Sequence, residues 1–347
     1  MWVRVGVVFL AVTVLIAGCT AVKSGTPLAG PSTSDVAGGL KNAKPVDLRT
    51  SFNETQQSVN DYWNSDRIKN ARPRQPAENG SGGSTVTDEP TGIKVDPTDG
   101  PLGAIPHSTG QVSDGRPWSK VGLTRPTLGR LYFQSGGENH VCSASVVNSS
   151  SGTLVATAAH CVWDTQGGTG WSSNFMFVPA DENNLGVTPF GKWVPEFAYA
   201  PPQFRQNAFA DDMGAQGDGW AYDIAFLRMR PQNGKTIEQA LGGQGIAFGI
   251  PAEGLTVIGY PTAPPFDGKV ERFCASATWK NGYQKDYLID CVMTPGSSGG
   301  GWFTRLDLNR GAGYLVSVTS IGSNRGVMGA QLGKVAHDLY QQADAGR

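Results

Sequence analysis

From about Trp118 onward the chain is a succession of short apolar runs separated by clusters of Gly, Asn, Asp, Ser and Pro. The runs include Gly129-Arg130-Leu131-Tyr132-Phe133, Ser143-Ala144-Ser145-Val146-Val147, Thr153-Leu154-Val155-Ala156-Thr157, Asn174-Phe175-Met176-Phe177-Val178, Ile224-Ala225-Phe226-Leu227 and Tyr314-Leu315-Val316-Ser317-Val318. Each has the length of a strand and stops before a helix could bury a full face. Many short strands with turn residues between them fold as an all-β sandwich or barrel. Only the tail, 332–343, has helical spacing, with Val335, Leu339 and Ala343 four positions apart. A loop-rich β protein also suits a chain with 47 glycines and only 16% charged residues. A formal net charge of −1 offers no basic surface for nucleic acid.

The first 117 residues read differently. Arg4 followed by the apolar run 5–17 has the form of an export signal, too short for a comfortable membrane span. The run ends Leu15-Ile16-Ala17-Gly18-Cys19, which resembles the lipobox of bacterial lipoproteins. That resemblance implies cleavage after residue 18 and a lipid on the Cys19 thiol, anchoring an extracellular domain at the cell membrane. An ordinary signal peptide is the alternative. Residues 19–117 carry scattered prolines and the run Asn79-Gly80-Ser81-Gly82-Gly83-Ser84-Thr85, so a flexible linker or pro-segment is expected. Within it, residues 51–72 could form an amphipathic helix with Val59, Tyr62, Trp63 and Ile68 to one side. The domain is expected over 118–347, as a monomer.

Chemistry concentrates in three stretches. The first is Thr294-Pro295-Gly296-Ser297-Ser298-Gly299-Gly300-Gly301. A serine hydroxyl needs a base to take its proton and backbone N–H groups to hold the oxyanion that follows attack. A Gly-x-Ser-Gly-Gly turn supplies the second need, with the amides of Gly296 and Ser298 as donors. Ser298 is preferred to Ser297, because the residue two before Ser297 is Pro295, which has no N–H. The second stretch is Leu154-Val155-Ala156-Thr157-Ala158-Ala159-His160-Cys161, where a histidine at a strand end can act as general base. The third is Trp220-Ala221-Tyr222-Asp223-Ile224-Ala225. Asp223 heads an apolar strand, so its carboxylate can be buried behind the histidine and fix its tautomer. Asp211, Asp212 and Asp218 sit in a polar, glycine-bearing loop and suit solvent better.

The five cysteines form two local pairs plus Cys19. A Cys142–Cys161 bridge would clamp the histidine's loop, worth roughly 3 kcal/mol for a loop of that length. Pairings crossing to Cys274 or Cys291 remain open from sequence. No Cys/His spacing suggests a metal, and no cofactor is expected.

The motifs Thr157-Ala158-Ala159-His160-Cys161, Tyr222-Asp223-Ile224-Ala225 and Gly296-Ser297-Ser298-Gly299-Gly300, in that order, resemble the chymotrypsin/trypsin-like serine peptidases. The resemblance covers about 129–339. It implies two packed antiparallel six-stranded barrels, a C-terminal helix, a His160–Asp223–Ser298 triad, and protein or peptide substrates cleaved through an acyl-enzyme. It also implies that Cys274–Cys291 braces the approach to a specificity pocket based on Val292 and walled by Thr319, Ser320, Ile321 and Gly322. There are departures. Animal members carry aspartate before the serine, paired with a freshly cut N-terminus; this chain has Ser297, and no Ile-Val-Gly-Gly start. It is closer to the bacterial glutamyl-endopeptidase-like branch and its actinobacterial relatives. Val292 disfavours Lys or Arg at the cleaved position, and Thr319 replaces the histidine of glutamate-selective relatives. A neutral, small or apolar residue is therefore expected there. Two other readings stand beside this one: a weakly hydrolysing binding or scaffold protein at the cell surface, and an α/β-hydrolase esterase. The esterase order places histidine last, where only His337 is available, without supporting context.

Overall fold

The strands expected from 118 onward form two curled antiparallel sheets, each a half-barrel, in a computed structural model describing residues 47–74, 88–103, 110–119, 122–168, 170–212, 214–281, 286–323 and 326–347. The signal peptide, Cys19 and the linker residues up to 46 lie outside the described residues, as do 75–87 and 104–109.

The first sheet runs in the order Arg49–Ser51, Pro195–Tyr199, Ala225–Met229, Leu154–Thr157, Glu138–Val146, Leu128–Ser135 and Ser173–Pro179, with Arg72–Pro73 added in parallel on Glu138–Val146. The second has ten strands, and its centre is the long strand Ala312–Ser323 between Gly301–Asp307 and Gly326–Gln331. Strand counts thus exceed the six expected per sheet. The first sheet has eight strands, and two of these, Arg49–Ser51 and Arg72–Pro73, come from the stretch expected to be linker. Ile93–Val95 and Val112–Pro117 add to the second sheet in the same way.

The described segments of 19–117 thus join the domain as strands and short helices. The described residues all fall in one compact unit. The reason lies in the strand Leu128–Ser135, which is buried on both faces. Leu131 and Phe133 join the main core, while Tyr132 turns the other way to meet Val141, Met176 and Val178. That second apolar face needs a cover, and Val59 and Trp63 provide it, both at 3% exposure or less. Burying such side chains contributes roughly 1.5–3 kcal/mol each. The helix expected over 51–72 is two short ones, Gln56–Tyr62 and Ser65–Lys69. The break falls at Asn64, whose side chain caps the second by accepting from the Arg67 N–H. Trp63 Nε1 donates to the Asn174 carbonyl at 2.7 Å, which fixes the pair against the sheet.

The C-terminal helix, Lys334–Ala345, buries Ala336, Leu339, Tyr340 and Ala343. Its first amides are satisfied from far along the chain, because the Asp88 carboxylate accepts from the N–H groups of Gly333, Val335 and Ala336. Both expected short-range disulfides are present, Cys142–Cys161 and Cys274–Cys291. Among the described residues no helix is long and apolar enough to cross a membrane.

Candidate active site

Two neighbouring strands of the first sheet bring His160 and Asp223 together. Ala225–Met229 pairs antiparallel with Leu154–Thr157, with Ala225 opposite Thr157. In that register the residues just before one strand lie beside the residues just after the other. His160 follows on the turn Ala159–Val162, and Asp223 closes the 3-10 turn Asp218–Tyr222. The His160 amide donates to Asp223 Oδ1 at 2.9 Å, and its Nδ1–H donates to Oδ2 at 2.7 Å. A proton on Nδ1 leaves the lone pair of the neutral ring on Nε2.

A third donor reaches the carboxylate from the other sheet. Ser320 Oγ donates to Asp223 Oδ2 at 2.5 Å. Three hydrogen bonds thus compensate an aspartate with no solvent exposure, which would otherwise be costly to bury. The aim of Ser320 comes from a break in strand register. Thr319 faces Gly329 and Ile321 faces Met328, so Ser320 is an extra residue between them. Such a bulge turns a side chain out of the alternating pattern. The indole of Trp220 packs on the imidazole, with centroids 5.8 Å apart, and the Cys142–Cys161 bridge holds the residue next to His160.

The serine turn is held peptide by peptide. The Pro295 carbonyl accepts from Thr262 N–H at 2.8 Å and Thr262 Oγ1 at 3.1 Å. The Gly296 carbonyl accepts from Ser143 Oγ at 2.9 Å. The Ser297 carbonyl accepts from Gly300 N–H at 2.8 Å, and the Ser298 carbonyl from Ser143 N–H at 2.7 Å. On the donor side, the Ser297 amide reaches Thr294 O and the Gly299 amide reaches Thr319 O. Among the described residues, the amides of Gly296 and Ser298 have no partner. The two serines differ in the same sense. Ser297 Oγ donates to Thr294 O at 2.8 Å, whereas Ser298 Oγ has no hydrogen-bond partner.

This turn packs directly on the histidine's strand. Gly299 has φ of +76°, and a Cβ there would lie 2.2 Å from Thr157 Oγ1 and 2.9 Å from the Ala158 amide nitrogen. Only glycine fits. Ser143, next to the bridged Cys142, ties the same turn to the strand Glu138–Val146. His160 Nε2 is buried and, like Ser298 Oγ, has no hydrogen-bond partner. Both atoms are left with their hydrogen-bonding capacity unused, and neither bonds to the other.

The expected pocket residues scatter more. Val292 is 48% exposed, and its amide donates to Ser113 O at 2.6 Å. Thr319 is buried, its hydroxyl accepting from Trp302 Nε1 at 2.9 Å, and Ser320 is committed to Asp223. Ile321 and Gly322 pair on one side with Met328 and Val327. On the other side Gly301–Asp307 follows the strand only to Val318, so that edge has no strand partner past Thr319 among the described residues.

Sequence reasoning missed Ser143 and Thr262, and it assigned Ser320 to the pocket wall. Adjacency to Cys142 was the only sequence signal for Ser143; Thr262 carried none. The one His/Cys/Asp/Glu grouping with metal-like spacing among the described residues is Cys142, His160 and Cys161. Its two sulfurs are joined in a disulfide and offer no thiolate.

The trypsin-like peptidase domain family matches residues 142–307, a span that contains His160, Asp223 and Ser298. Among solved structures, the protease Anisep from Arthrobacter nicotinovorans is 31% identical, with TM-score 0.54, covering 68% of this chain and 99% of that one. The thermostable serine protease AL20 from an extremophilic microorganism is also 31% identical, with TM-score 0.56, over 65% of this chain and 100% of its own. A Glu endopeptidase shares the fold, at 15% identity and TM-score 0.50, over 70% and 100% of the two chains. No curated protein matches the sequence. With a relative 31% identical over nearly its whole length, the chain belongs to the trypsin-like peptidases.

Proposed function

We propose that the chain is an extracellular serine endopeptidase in which Ser298 is the nucleophile, His160 the general base and Asp223 the group that orients it. The observation that carries this reading is the pairing of His160 Nδ1 with Asp223 Oδ2 at 2.7 Å, with a serine turn packed on the histidine's strand whose Ser298 hydroxyl has no partner. Ser298 Oγ attacks the scissile carbonyl carbon while His160 Nε2 takes its proton. The carboxylate stabilises the imidazolium so formed. The negative charge that develops on the carbonyl oxygen is received by the amides of Gly296 and Ser298, which hold no other acceptor. His160 returns the proton to the leaving amine as the C–N bond breaks, and water then hydrolyses the acyl-enzyme by the same route. The open edge of Ala312–Ser323 past Thr319 suits an extended peptide added as a strand. The affinity with glutamyl endopeptidases is of fold, and the preference we propose is for a neutral small or apolar residue at the cleaved position. The lipobox-like Leu15-Ile16-Ala17-Gly18-Cys19 supports anchorage through Cys19 at the outer face of the cell membrane.

Cleavage-site profiling on a denatured protein mixture tests the reading. The wild-type chain should cut after neutral residues, and Ser298→Ala and His160→Ala should each abolish cutting. Undiminished cleavage by Ser298→Ala would overturn the mechanism, and cuts confined to Glu, Lys or Arg would overturn the specificity. Cys19→Ser should shift the protein out of the membrane fraction; its retention there would refute the anchor.

A further inference from the structure

Resting on the peptidase reading, we propose that Thr262 is a positioning residue that fixes the Pro295–Gly296 peptide so that the Gly296 N–H faces the reacting carbonyl oxygen. A trans peptide is flat, with its C=O and N–H pointing in opposite directions. Whatever holds the Pro295 oxygen therefore aims the Gly296 amide. Two donors of one residue hold it, Thr262 N–H at 2.8 Å and Thr262 Oγ1 at 3.1 Å.

The peptide needs holding because its neighbour is permissive. Gly296 has φ of +102°, in a region where glycine turns with little steric resistance. Half a turn of the plane would bring the Pro295 oxygen toward the substrate oxygen and leave Ser298 N–H as the sole backbone donor. Packing also shows how close Thr262 lies. A Cβ on Gly296 would stand 2.6 Å from Thr262 Oγ1 and 2.7 Å from the Tyr260 carbonyl oxygen.

A second link joins the same two loops, since Thr294 Oγ1 donates to Ala263 O at 2.8 Å. On the far side Ser143 Oγ holds the next carbonyl, that of Gly296, and accepts from the Tyr260 amide at 2.9 Å. Thr262 is itself backed by the loop that follows it, where a Cβ on Gly268 would lie 2.6 Å from Thr262 Cγ2. The residue before Ser298 is Ser297, and its hydroxyl is closed on Thr294 O. The turn is thus braced by hydroxyls of its own domain. On this account the donor pair forms on folding.

The test compares Thr262→Val, Thr262→Ala and Thr262→Ser in the full chain, at a temperature well below each variant's melting midpoint. Val and Ala remove the hydroxyl donor and keep the backbone one; Ser keeps both. Because removing an oxyanion donor outright costs about 10²–10³ in kcat, loosening one should cost about 10-fold. Val and Ala should lose that factor in kcat, bind a peptide aldehyde about as much more weakly, and leave KM nearly unchanged. Ser should restore both. The aldehyde matters because its hemiacetal carries the oxyanion, which a role in fold alone would not affect selectively. Wild-type kcat and aldehyde affinity in Val or Ala would overturn the clamp, as would a loss in Ser equal to that in Ala. If the wild-type chain hydrolyses no peptide, the peptidase reading itself fails and takes the clamp with it. A proficient wild type with indifferent Thr262 variants refutes the clamp alone.

Discussion

Arg74 Nη2 donates to Asp164 Oδ1 at 2.6 Å across ninety positions of sequence, with the two side chains only 7% and 2% exposed. Asp164 lies four residues past His160, and it also accepts from the amides of Gln166 and Gly167. Arg74 follows the strand Arg72–Pro73 on the first sheet, and its Nη1 comes within 3.4 Å of His140 Nε2. The N-terminal cover and the loop of the candidate base are therefore joined by a buried charge pair.

Breaking that pair should be costly. Arg74→Ala leaves the Asp164 charge buried without its cation, and loss of one partner of a buried pair typically costs about 3–5 kcal/mol. Urea unfolding of Arg74→Ala should show a loss of that order, and Arg74→Met with Asp164→Asn should recover part of it. A midpoint equal to wild type would show that the segment does not contribute to the fold. By the same logic, removal of the chain up to residue 74 should lower the midpoint by uncovering Tyr132, Val141, Met176 and Val178.

Stability should fall from weakly acidic to neutral pH through Glu238. Burial lifts its carboxyl from the usual 4.5 to about 7, the Ser149 amide partly opposes the rise, and the Asp344 carboxylate adds to it. The folded state thus binds this proton more tightly than the unfolded state does. The contribution is complete below about pH 4.5 and is lost as pH rises toward 7. Glu238→Gln keeps an oxygen for the Ser149 N–H and removes the charge. Its melting temperature should exceed that of wild type at pH 8, with the difference vanishing near pH 4.5. A constant offset at both pH values would contradict the assignment.

Ser320 and Asp223 separate holding from orienting. Ser320→Ala removes one of three bonds to the carboxylate and leaves both from His160. An ordinary hydrogen bond of about 0.5–1.5 kcal/mol corresponds to roughly a 2- to 10-fold loss in kcat. Asp223→Asn presents an amide that disrupts the Nδ1 tautomer, and the loss should approach about 10⁴-fold. Steady-state kinetics on one peptide substrate measures both, with KM nearly constant. Comparable losses from the two variants would place Ser320 in a larger role than this one.

The pairing of His160 with Asp223 was legible because each sits at the end of an apolar run, and antiparallel runs bring such ends together. The preference for Ser298 over Ser297 followed from proline lacking an amide, and the hydroxyl partners differ in the same direction. The resemblance placed Ser320 only on the pocket wall; its bond to Asp223 comes from the bulge between Thr319 and Ile321, which turns its hydroxyl that way. The N-terminal strands escaped notice because Arg49–Ser51, Arg72–Pro73 and Ile93–Val95 are two or three residues long, too short for a period. Val59 and Trp63 did stand out, but their partner face lay on Tyr132 and Met176, alternate residues of strands whose other face is already core. Thr262 could only be found in three dimensions, since what it holds is a backbone oxygen thirty-three positions away.

The central claim is that folding leaves one hydroxyl, that of Ser298, activated by His160. Mass spectrometry of the intact and digested chain after treatment with a fluorophosphonate reads this directly. One adduct should form, located on Ser298, and it should be absent in Ser298→Ala and far slower in His160→Ala. An adduct on Ser297, or undiminished labelling of Ser298 without the imidazole, would contradict the account.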